Sequence, residues 1–307
     1  MTDIAGVKFD GESTPAGSLI HTLRAFGFGA GDPTVRLTPH PVSCLPTFTS
    51  TMATKSGTAW ISVSATGGVS VDGSGKSHVH AWNPDPTGAN DTFVSLNPAH
   101  QIVDRLQHNF GHVRIGASRD VYRAALVATL GQRITAAEAV NQWRRLCFAL
   151  GESIDTPAGV LQTPPAPESL AQMAPYQLHR FGIEAARATT LIAIGKVFTR
   201  AGAHLDSPDL AFRRLAVEVP RFGPWTRALV AAEAFGDPDA VPVGDFHVKN
   251  VVAHALAGTP RGTDDEMLAT LAPYAGQRGR VIMWLALAGI AAPKFGPRRT
   301  NPDIRAL

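Results

Sequence analysis

The spacing of apolar and polar residues changes near residue 100. Before that point the chain is rich in Gly, Ser, Thr and Pro, and short runs alternate apolar and polar residues with the period of two that is typical of strands. The clearest runs are Ala59–Ser64 and His78–Trp82. Between them, Gly75-Lys76-Ser77 imitates the end of a phosphate-binding loop, but Ser70 stands where that motif needs glycine, so a hairpin turn is the better interpretation. The pattern predicts a small β-rich domain over residues 1–100.

After residue 100, apolar residues recur at helical spacing. Two T-x-x-E pairs, Thr135 with Glu138 and Thr263 with Glu266, have the form of capping boxes that begin helices. Because short loops join the helical patterns, residues 101–290 are predicted to be a compact all-α region, which makes the fold class α+β. The predicted helices are Val121–Leu130, one from the first capping box to about Leu150, Glu184–Arg200, one after the second capping box, and roughly Gly279–Ala288.

Composition and charge exclude some classes of protein and leave others open. Of the 307 residues, 44% are hydrophobic and 17% are charged, which is typical of a globular chain. The net charge is +3 and the pI about 9.1, which is compatible with an anionic partner without requiring one. The two cysteines, Cys44 and Cys147, lack the paired spacing of a zinc site or an iron–sulfur cluster. Residues 291–307, with Lys294, Arg298 and Arg299, are predicted to form a basic irregular tail.

Nothing in the sequence indicates secretion or a membrane. The N-terminus lacks the basic segment and apolar core of a signal peptide. No uncharged apolar run reaches the ~18 residues that a membrane-spanning helix needs. We therefore expect a cytoplasmic protein without a membrane partner.

One segment has an unusual arrangement of turn residues. Pro220-Arg-Phe-Gly223 separates two helical patterns, with Gly223 allowing close backbone approach and Pro224 suited to a first helical turn. The free N–H groups of such a helix start can hold a phosphate, and Arg227 follows one turn later. An ordinary helix–turn–helix packing unit remains the alternative.

A second feature of this segment is Asp245, which follows the chain-breaking residues Pro242 and Gly244. The helical pattern resumes after it, so Asp245 is predicted at or beside a helix N-cap, where the positive helix end should keep its carboxylate ionised. Lys249, one turn along the same helix, could pair with it. By local chemistry alone, Asp245 is a cap.

Four blocks, in this order and at these spacings, resemble the helix-hairpin-helix DNA glycosylase superfamily, and within it the bacterial 3-methyladenine DNA glycosylase II family. The resemblance covers about residues 110–290, and residues 1–98 match only loosely, as the small β-rich N-terminal domain of such enzymes would. It implies two helical subdomains with an active-site cleft between them. The blocks are Ala128–Thr135, Phe181–Glu184, Phe222–Thr226 and Val243–His247.

The resemblance implies a catalytic role for Asp245. In the family, this carboxylate stabilises the oxocarbenium-like sugar and orients or deprotonates the attacking water. Asp237 and Asp239 are nearby alternatives that lie off the motif. Trp225 occupies the position of the Schiff-base lysine of bifunctional members, and because indole cannot form an imine, base removal without strand cleavage is expected. Trp225 and Leu229 would line the base pocket, although Leu229 departs from the aromatic residue of the closest relatives.

The same resemblance assigns DNA contacts and a cation site. Gln132 and Arg133 would enter the gap left by the flipped base, although related enzymes place an apolar wedge there. Arg221 departs from the usual hairpin glycine and is expected to contact DNA, where it could add a phosphate contact or change the hairpin geometry. Backbone carbonyls of Val217, Val219 and Phe222 would hold a structural Na⁺ or K⁺, and no other cofactor and no iron–sulfur cluster are expected. Further expected DNA contacts are Phe222, Gly223, Thr226, Arg227, Arg278 and Arg280, with a solvated helix face as the alternative for each arginine.

Together these expectations describe a monomeric, nucleoid-associated, monofunctional DNA glycosylase for base-excision repair. Its substrate would be double-stranded DNA carrying an alkylated purine. Two alternatives stay open: the same fold acting on deaminated or oxidised bases, and a catalytically silent DNA-binding protein in which Asp245 is only a cap.

Overall fold

The computed structural model describes residues 15–29, 31–39, 46–54, 57–64, 66–97, 100–200 and 208–293. Most of the predicted basic tail, including Lys294, Arg298 and Arg299, lies outside these residues, as does Cys44. The predicted domain limits at residues 100 and 290 stay predictions.

The N-terminal part contains an antiparallel sheet of four strands in the order β1-β2-β3-β4. Residues Ala59, Ile61 and Val63 alternate onto the buried face of β3, as the period of two predicts. Two helices, α1 (Pro15–Arg24) and α2 (Lys76–Trp82), contribute to the same small core. The strands are β1 (Val35–Pro39), β2 (Pro46–Thr54), β3 (Gly57–Val63) and β4 (Val69–Asp72).

The prediction of a strand at His78–Trp82, and of a hairpin turn before it, is wrong. Residues 76–82 form α2, and Gly75 precedes its first turn. Val79 and Trp82, three residues apart, are both buried in the core of the sheet domain. Because five residues are too few to separate a period of two from one of 3.6, this alternation carried no reliable signal.

The helices after residue 100 build two hydrophobic cores. In the first core, every residue of the central helix α4 (Val121–Leu130) is buried, including Arg123, which pairs with Asp32 and Glu233. Its other helices are α5 (Ala136–Leu150), α6 (Pro167–Ala171), α7 (Pro175–Leu178), α8 (Ala185–Arg200), α9 (Pro208–Glu218) and α10 (Pro224–Val230), with a 3-10 turn at His179–Phe181 and a π-turn at Ala231–Phe235.

The second core packs around Trp284 and Tyr274. Phe93, which precedes the first helix of this region, lies against Trp284 with ring centroids 5.6 Å apart, so the chain enters this core before residue 100. Its helices are α3 (Gln101–Phe110), α11 (Val248–Val252), α12 (Asp264–Leu271) and α13 (Arg278–Leu287), with a π-turn at Ala253–Ala257 and a 3-10 turn at Ala272–Tyr274.

The region predicted to be all-α also contains a two-stranded sheet. Strands β5 (Ser153–Thr156) and β6 (Gly159–Gln162) pair antiparallel. Gln162 binds the N-terminal part through both backbone groups: its N–H donates to the Pro33 carbonyl at 2.9 Å, and its carbonyl accepts from the Thr51 hydroxyl at 2.5 Å. The strands are short and mostly exposed, which left no clear hydrophobic period in the sequence.

Among the helices in the described ranges, none combines the length and the apolar character that crossing a bilayer would require.

Candidate active site

The hairpin between α9 and α10 is built as the turn residues predict. Pro224 occupies the first turn of α10. Phe222 is 3% exposed and packs edge-to-face on Phe212, with ring centroids 6.3 Å apart. The Thr190 hydroxyl of α8 donates to the Pro220 carbonyl at 3.2 Å, so α8 supports the turn from behind. Phe222 therefore anchors the hairpin and is not available to a DNA strand.

Gln132 and Arg133, both predicted to enter the gap in the duplex, have different environments. The Gln132 side-chain amide donates to the Thr226 hydroxyl at 2.9 Å and to the Arg221 carbonyl at 3.3 Å. Thr226 itself is buried. Arg133 is exposed at the same α4–α5 turn. Gln132 thus ties two loops together, and of the two side chains only that of Arg133 is exposed to solvent.

Asp245 is held by three N–H donors. Its Oδ1 accepts from the backbone N–H groups of His247 and Val248 at 2.7 and 2.9 Å, so it caps the start of α11 as the local pattern predicts. Its Oδ2 accepts from the indole Nε1–H of Trp225 at 2.8 Å. Trp225 begins the hairpin helix of the first core, whereas Val243 and Val248, on either side of Asp245, pack against the second. The carboxylate therefore lies where the two cores meet.

The nearby Lys249 binds another carboxylate. Its Nζ lies 3.3 Å from Asp264 Oδ2, and the Gly244 N–H donates to Asp264 Oδ1 at 3.0 Å. The Gly244 hydrogen bond, followed by that of Lys249, lowers the pKa of Asp264. The predicted pairing of Lys249 with Asp245 is therefore not formed, and Asp264 instead positions the loop that carries Asp245.

The alternative carboxylates, Asp237 and Asp239, both serve local structure. Asp239 accepts from the Arg278 Nε at 2.8 Å and from the N–H groups of Gly276 and Arg278, and the Arg278 hydrogen bond lowers the pKa of Asp239. Asp237 accepts from the Asp239 N–H at 2.9 Å. The Asp239 carboxylate is therefore engaged in holding the start of α13.

The expectation of phosphate contacts fails for Arg280. Its side chain is 0% exposed and binds both carboxylate oxygens of Asp91, at 2.7 and 2.8 Å, with its guanidinium 4.3 Å from the Phe93 ring. A fully buried guanidinium cannot reach a phosphate. Arg278 is partly exposed, but Asp239 already engages two of its nitrogens. Neither partner could be identified from the sequence, because each lies far away along the chain.

The predicted base-pocket residues lie one helical turn apart on α10. Trp225 is partly buried, and a Cβ on Gly131 would be 3.5 Å from its ring, so the α4–α5 turn borders the indole. Leu229 packs against the first core. Phe246, to which the sequence assigned no role, is 63% exposed beside Asp245, with the Arg261 guanidinium 5.6 Å from its ring. A large apolar residue directly after the carboxylate could have indicated an exposed aromatic side chain at the site. In the sequence, however, Phe246 fits the apolar spacing of the following helix and is indistinguishable from a core residue.

Two of the three carbonyls predicted to hold a monovalent cation, those of Val219 and Phe222, accept hydrogen bonds within the protein. The Phe222 carbonyl accepts from Arg227 Nε at 3.0 Å, and the Val219 carbonyl accepts from the Phe222 N–H at 3.4 Å. Arg227 Nη2 also donates to the Ala216 carbonyl at 2.7 Å. A cation at these positions would lie close to the Arg227 guanidinium, so the residues present do not fit the expected ion. Within the described residues, no group of three or more His, Cys, Asp or Glu could hold a metal.

Comparisons with known proteins find similarity in sequence to a curated protein and similarity in fold to solved structures. No family model matches the sequence. A probable bifunctional transcriptional activator/DNA repair enzyme AlkA of Mycobacterium tuberculosis is 30% identical over 139 residues, which cover 44% of this chain and 27% of that protein. The chain thus matches about a quarter of the length of this curated relative.

Solved structures match over much more of the chain. A 3-methyladenine DNA-glycosylase from Archaeoglobus fulgidus has a TM-score of 0.67 at 14% identity, covering 88% of this chain and 94% of that one. An 8-oxoguanine glycosylase/lyase from Clostridium acetobutylicum has a TM-score of 0.53 at 10% identity, covering 82% and 87%. The 3-methyladenine DNA glycosylase Mag1 of Schizosaccharomyces pombe, in complex with abasic DNA, has a TM-score of 0.50 at 16% identity, covering 65% and 97%.

These matches confirm the α+β fold class and the resemblance seen in the sequence. The similarity to the archaeal enzyme covers most of the chain, so it includes more than the hairpin motif. The chain therefore has the fold of the helix-hairpin-helix DNA glycosylase superfamily.

Proposed function

We propose that this protein is a monofunctional DNA glycosylase that hydrolyses the N-glycosidic bond of alkylated purines flipped out of duplex DNA. The observation that carries the proposal is the hydrogen bond from Trp225 Nε1 to Asp245 Oδ2. It joins a carboxylate to an aromatic ring at the junction of the two cores, and a flipped base would stack on such a ring while the carboxylate faces its sugar. The AlkA relative and the 3-methyladenine glycosylase neighbours support the substrate class.

Asp245 would act on the sugar. Cleavage of an N-glycosidic bond develops positive charge at the sugar ring, and a carboxylate about 4 Å away contributes on the order of 4 kcal/mol at an effective dielectric constant near 20. The three N–H donors fix the orientation of the carboxylate before the base enters. Such preorganisation means that little reorganisation is needed when the charge develops.

The absence of strand cleavage is part of the proposal. A β-lyase needs an amine that forms an imine with the sugar, and Trp225 has none. Lys249 is the nearest lysine along the chain, and its ammonium is paired with Asp264. An ammonium held in an ion pair is a poor nucleophile, so Lys249 would not replace the missing amine.

DNA would be held by arginines on two neighbouring loops. Arg133 and Arg221 are exposed and have left-handed backbones, with φ of +64° and +61°. Gln132 links their loops through the Arg221 carbonyl. A non-glycine residue in this conformation costs roughly 1–2 kcal/mol, which an exposed cation offsets if it binds a phosphate. Phe246 adds an exposed aromatic face beside the carboxylate.

The test is excision from duplexes that each carry one defined lesion, followed by alkali to cleave abasic sites. We expect product from alkylated purines with the wild-type protein and none with Asp245→Asn. Asp155→Asn, in an exposed strand position of β5, is the matched control and should retain activity.

Four outcomes would contradict parts of the proposal. Equal product from Asp245→Asn would remove that residue from catalysis, and strand breaks without alkali would contradict the monofunctional assignment. DNA binding without product on any lesion would instead favour the silent DNA-binding protein. Product only from 8-oxoguanine duplexes would favour the second candidate, an oxidised-base enzyme, to which the Clostridium neighbour points.

A further inference from the structure

The Arg227 side chain lies across the hairpin that joins α9 and α10. Its Nε donates to the Phe222 carbonyl at 3.0 Å, and its Nη2 donates to the Ala216 carbonyl at 2.7 Å. These carbonyls belong to the two sides of the hairpin, one in the last turn of α9 and one just before α10. A single guanidinium therefore bridges both sides through two charge-assisted hydrogen bonds.

The five carbonyls from Val219 to Gly223 accept hydrogen bonds from the protein itself. The partners are the Phe222 N–H for Val219, the Thr190 hydroxyl for Pro220, the Gln132 amide for Arg221, Arg227 Nε for Phe222, and the Arg227 N–H for Gly223. Carbonyl oxygens have a second lone pair, so these bonds alone would not exclude a metal ion. The positive charge of the guanidinium does, because a second cation bound to the Phe222 carbonyl would be repelled at close range.

We propose that the Arg227 guanidinium is the resident cation of this hairpin and takes the place of a monovalent metal ion. It supplies the positive charge and the cross-bridge that an ion bound to the turn carbonyls would supply, and it is covalently attached. The hairpin, and the DNA affinity that the proposed function assigns to it, should then not depend on which monovalent cation is in solution. This replaces the sequence-based expectation of Na⁺ or K⁺ at Val217, Val219 and Phe222.

The first experiment uses the protein without DNA. Thermal unfolding of the wild type is measured in NaCl, KCl, LiCl and choline chloride at equal ionic strength. We expect the same midpoint in all four salts, whereas a higher midpoint in NaCl or KCl would overturn the proposal. The wild-type measurement can overturn the proposal even if no variant folds.

Variants then separate a resident cation from an ordinary hydrogen bond. Arg227→Ala should unfold at a lower temperature in choline chloride and recover part of the loss in NaCl or KCl, because the freed carbonyls can bind the ion. Arg227→Lys, which keeps the charge, should show less recovery. Arg213→Ala, at an exposed position of α9, is the matched control and should behave as the wild type. A loss for Arg227→Ala that is equal in all four salts, or no loss at all, would overturn the proposal.

The second experiment measures binding to an undamaged duplex in the same four salts. The wild-type affinity should not depend on the identity of the cation, whereas that of Arg227→Ala should be higher in NaCl or KCl than in choline chloride. Cation-specific binding by the wild type would count against the proposal. If the protein bound no DNA at all, the proposed function would fail, and the unfolding experiment would still decide the role of Arg227.

Discussion

At the residue scale, the contact between Trp225 and Asp245 joins two local roles into one site. Local structure alone would account for each residue. Trp225 lies in the first turn of α10, and Asp245 caps the start of α11. The indole N–H orients Asp245 Oδ2, the carboxylate oxygen that takes no part in capping. Trp225 therefore positions the carboxylate in addition to providing an aromatic surface. A phenylalanine at the same position would keep the ring and lose this hydrogen bond.

Trp225→Phe should therefore reduce kcat more than it reduces binding. A hydrogen bond to a charged group is worth about 1.5–3 kcal/mol, which corresponds to roughly a 10- to 100-fold loss of rate. Single-turnover excision from an alkylated duplex measures the effect. Trp60→Phe, on strand β3, is the control and should keep the full rate. An unchanged rate in Trp225→Phe would show that the indole N–H has no part in the reaction.

Arg221 shows a conflict between backbone and side chain. It has φ of +61°, a conformation that glycine adopts without cost. Arg221→Gly should relieve strain and stabilise the protein by up to about 1 kcal/mol, less the entropy cost of the glycine in the unfolded chain. It should also lower the slope of log affinity against log salt by about one, because one phosphate contact is lost.

Urea unfolding and DNA binding over a salt series test these two effects separately. Arg213→Gly provides the comparison, since it places the same substitution inside helix α9 and should destabilise the protein by roughly 1 kcal/mol. A loss of stability in Arg221→Gly as large as that in Arg213→Gly would contradict the strain argument.

At the element scale, the observed helix starts agree closely with those predicted from the sequence, whereas the short helix α2 and the short strands β5 and β6 were not predicted. Thr263 and Glu266 form both hydrogen bonds of a capping box, as predicted. Thr135 accepts from the Glu138 N–H, as predicted, and the Glu138 side chain also accepts from the Gln142 amide at 3.2 Å. Both helix starts depend on residues within one turn of each other, which is why the sequence reveals them.

The hydrogen bond between Gln132 and Thr226 links the α4–α5 turn to the helix that follows the hairpin. Gln132→Ala and Thr226→Val each remove one member of the hydrogen bond, and each should cost about 1 kcal/mol of stability. The double variant should cost less than the sum of the two, because both single changes remove the same bond. Urea unfolding of all four proteins measures this coupling, and strictly additive losses would show that the bond contributes nothing.

At the scale of the whole molecule, a buried charge cluster connects the N-terminal part to the first helical core. Arg123 Nη2 lies 2.6 Å from Asp32 Oδ2, and Arg123 Nη1 lies 2.6 Å from Glu233 Oε1. Asp32 also accepts from the Trp143 indole at 2.8 Å, and Asp120 lies beside the same guanidinium. One cation thus faces three carboxylates, and burial raises the pKa of Glu233 to about 7 and that of Asp120 to about 6.

These raised pKa values predict that stability falls as the pH rises. An unfolded glutamate titrates near 4.5, so between that pH and about 7 the folded protein binds more protons than the unfolded chain. The contribution of Glu233 is therefore fully present below about pH 4.5 and is lost as the pH approaches 7. Glu233→Gln should reduce the change in the free energy of unfolding between about pH 4.5 and pH 7 by roughly 1 kcal/mol or more.

Urea unfolding at pH 5 and pH 7.5 makes the comparison. Glu168→Gln, at a first-turn position of α6, is the control and should leave the pH dependence of the wild type unchanged. A profile for Glu233→Gln as steep as that of the wild type would place the titrating group elsewhere.

The sequence by itself determined the features that depend on neighbours within a few residues. Helix α4 spans the predicted Val121–Leu130, and Asp245 caps a helix start, because hydrophobic period, capping residues and turn residues act over one or two turns. Strand β3 was predictable for the same reason, since its alternation of buried and exposed residues is local. The order and spacing of the four motifs predicted the fold, which the comparisons confirm.

The tertiary structure decided everything that needs a distant partner. Arg280 is a core residue because Asp91, 189 positions away, neutralises it, and Asp245 meets Trp225 across 20 positions. Arg227 binds the hairpin carbonyls only because the hairpin brings them within its reach. A charged residue has the same appearance in a sequence whether it is solvated, paired or buried, since burial and pairing are set by how the elements pack and not by the spacing along the chain.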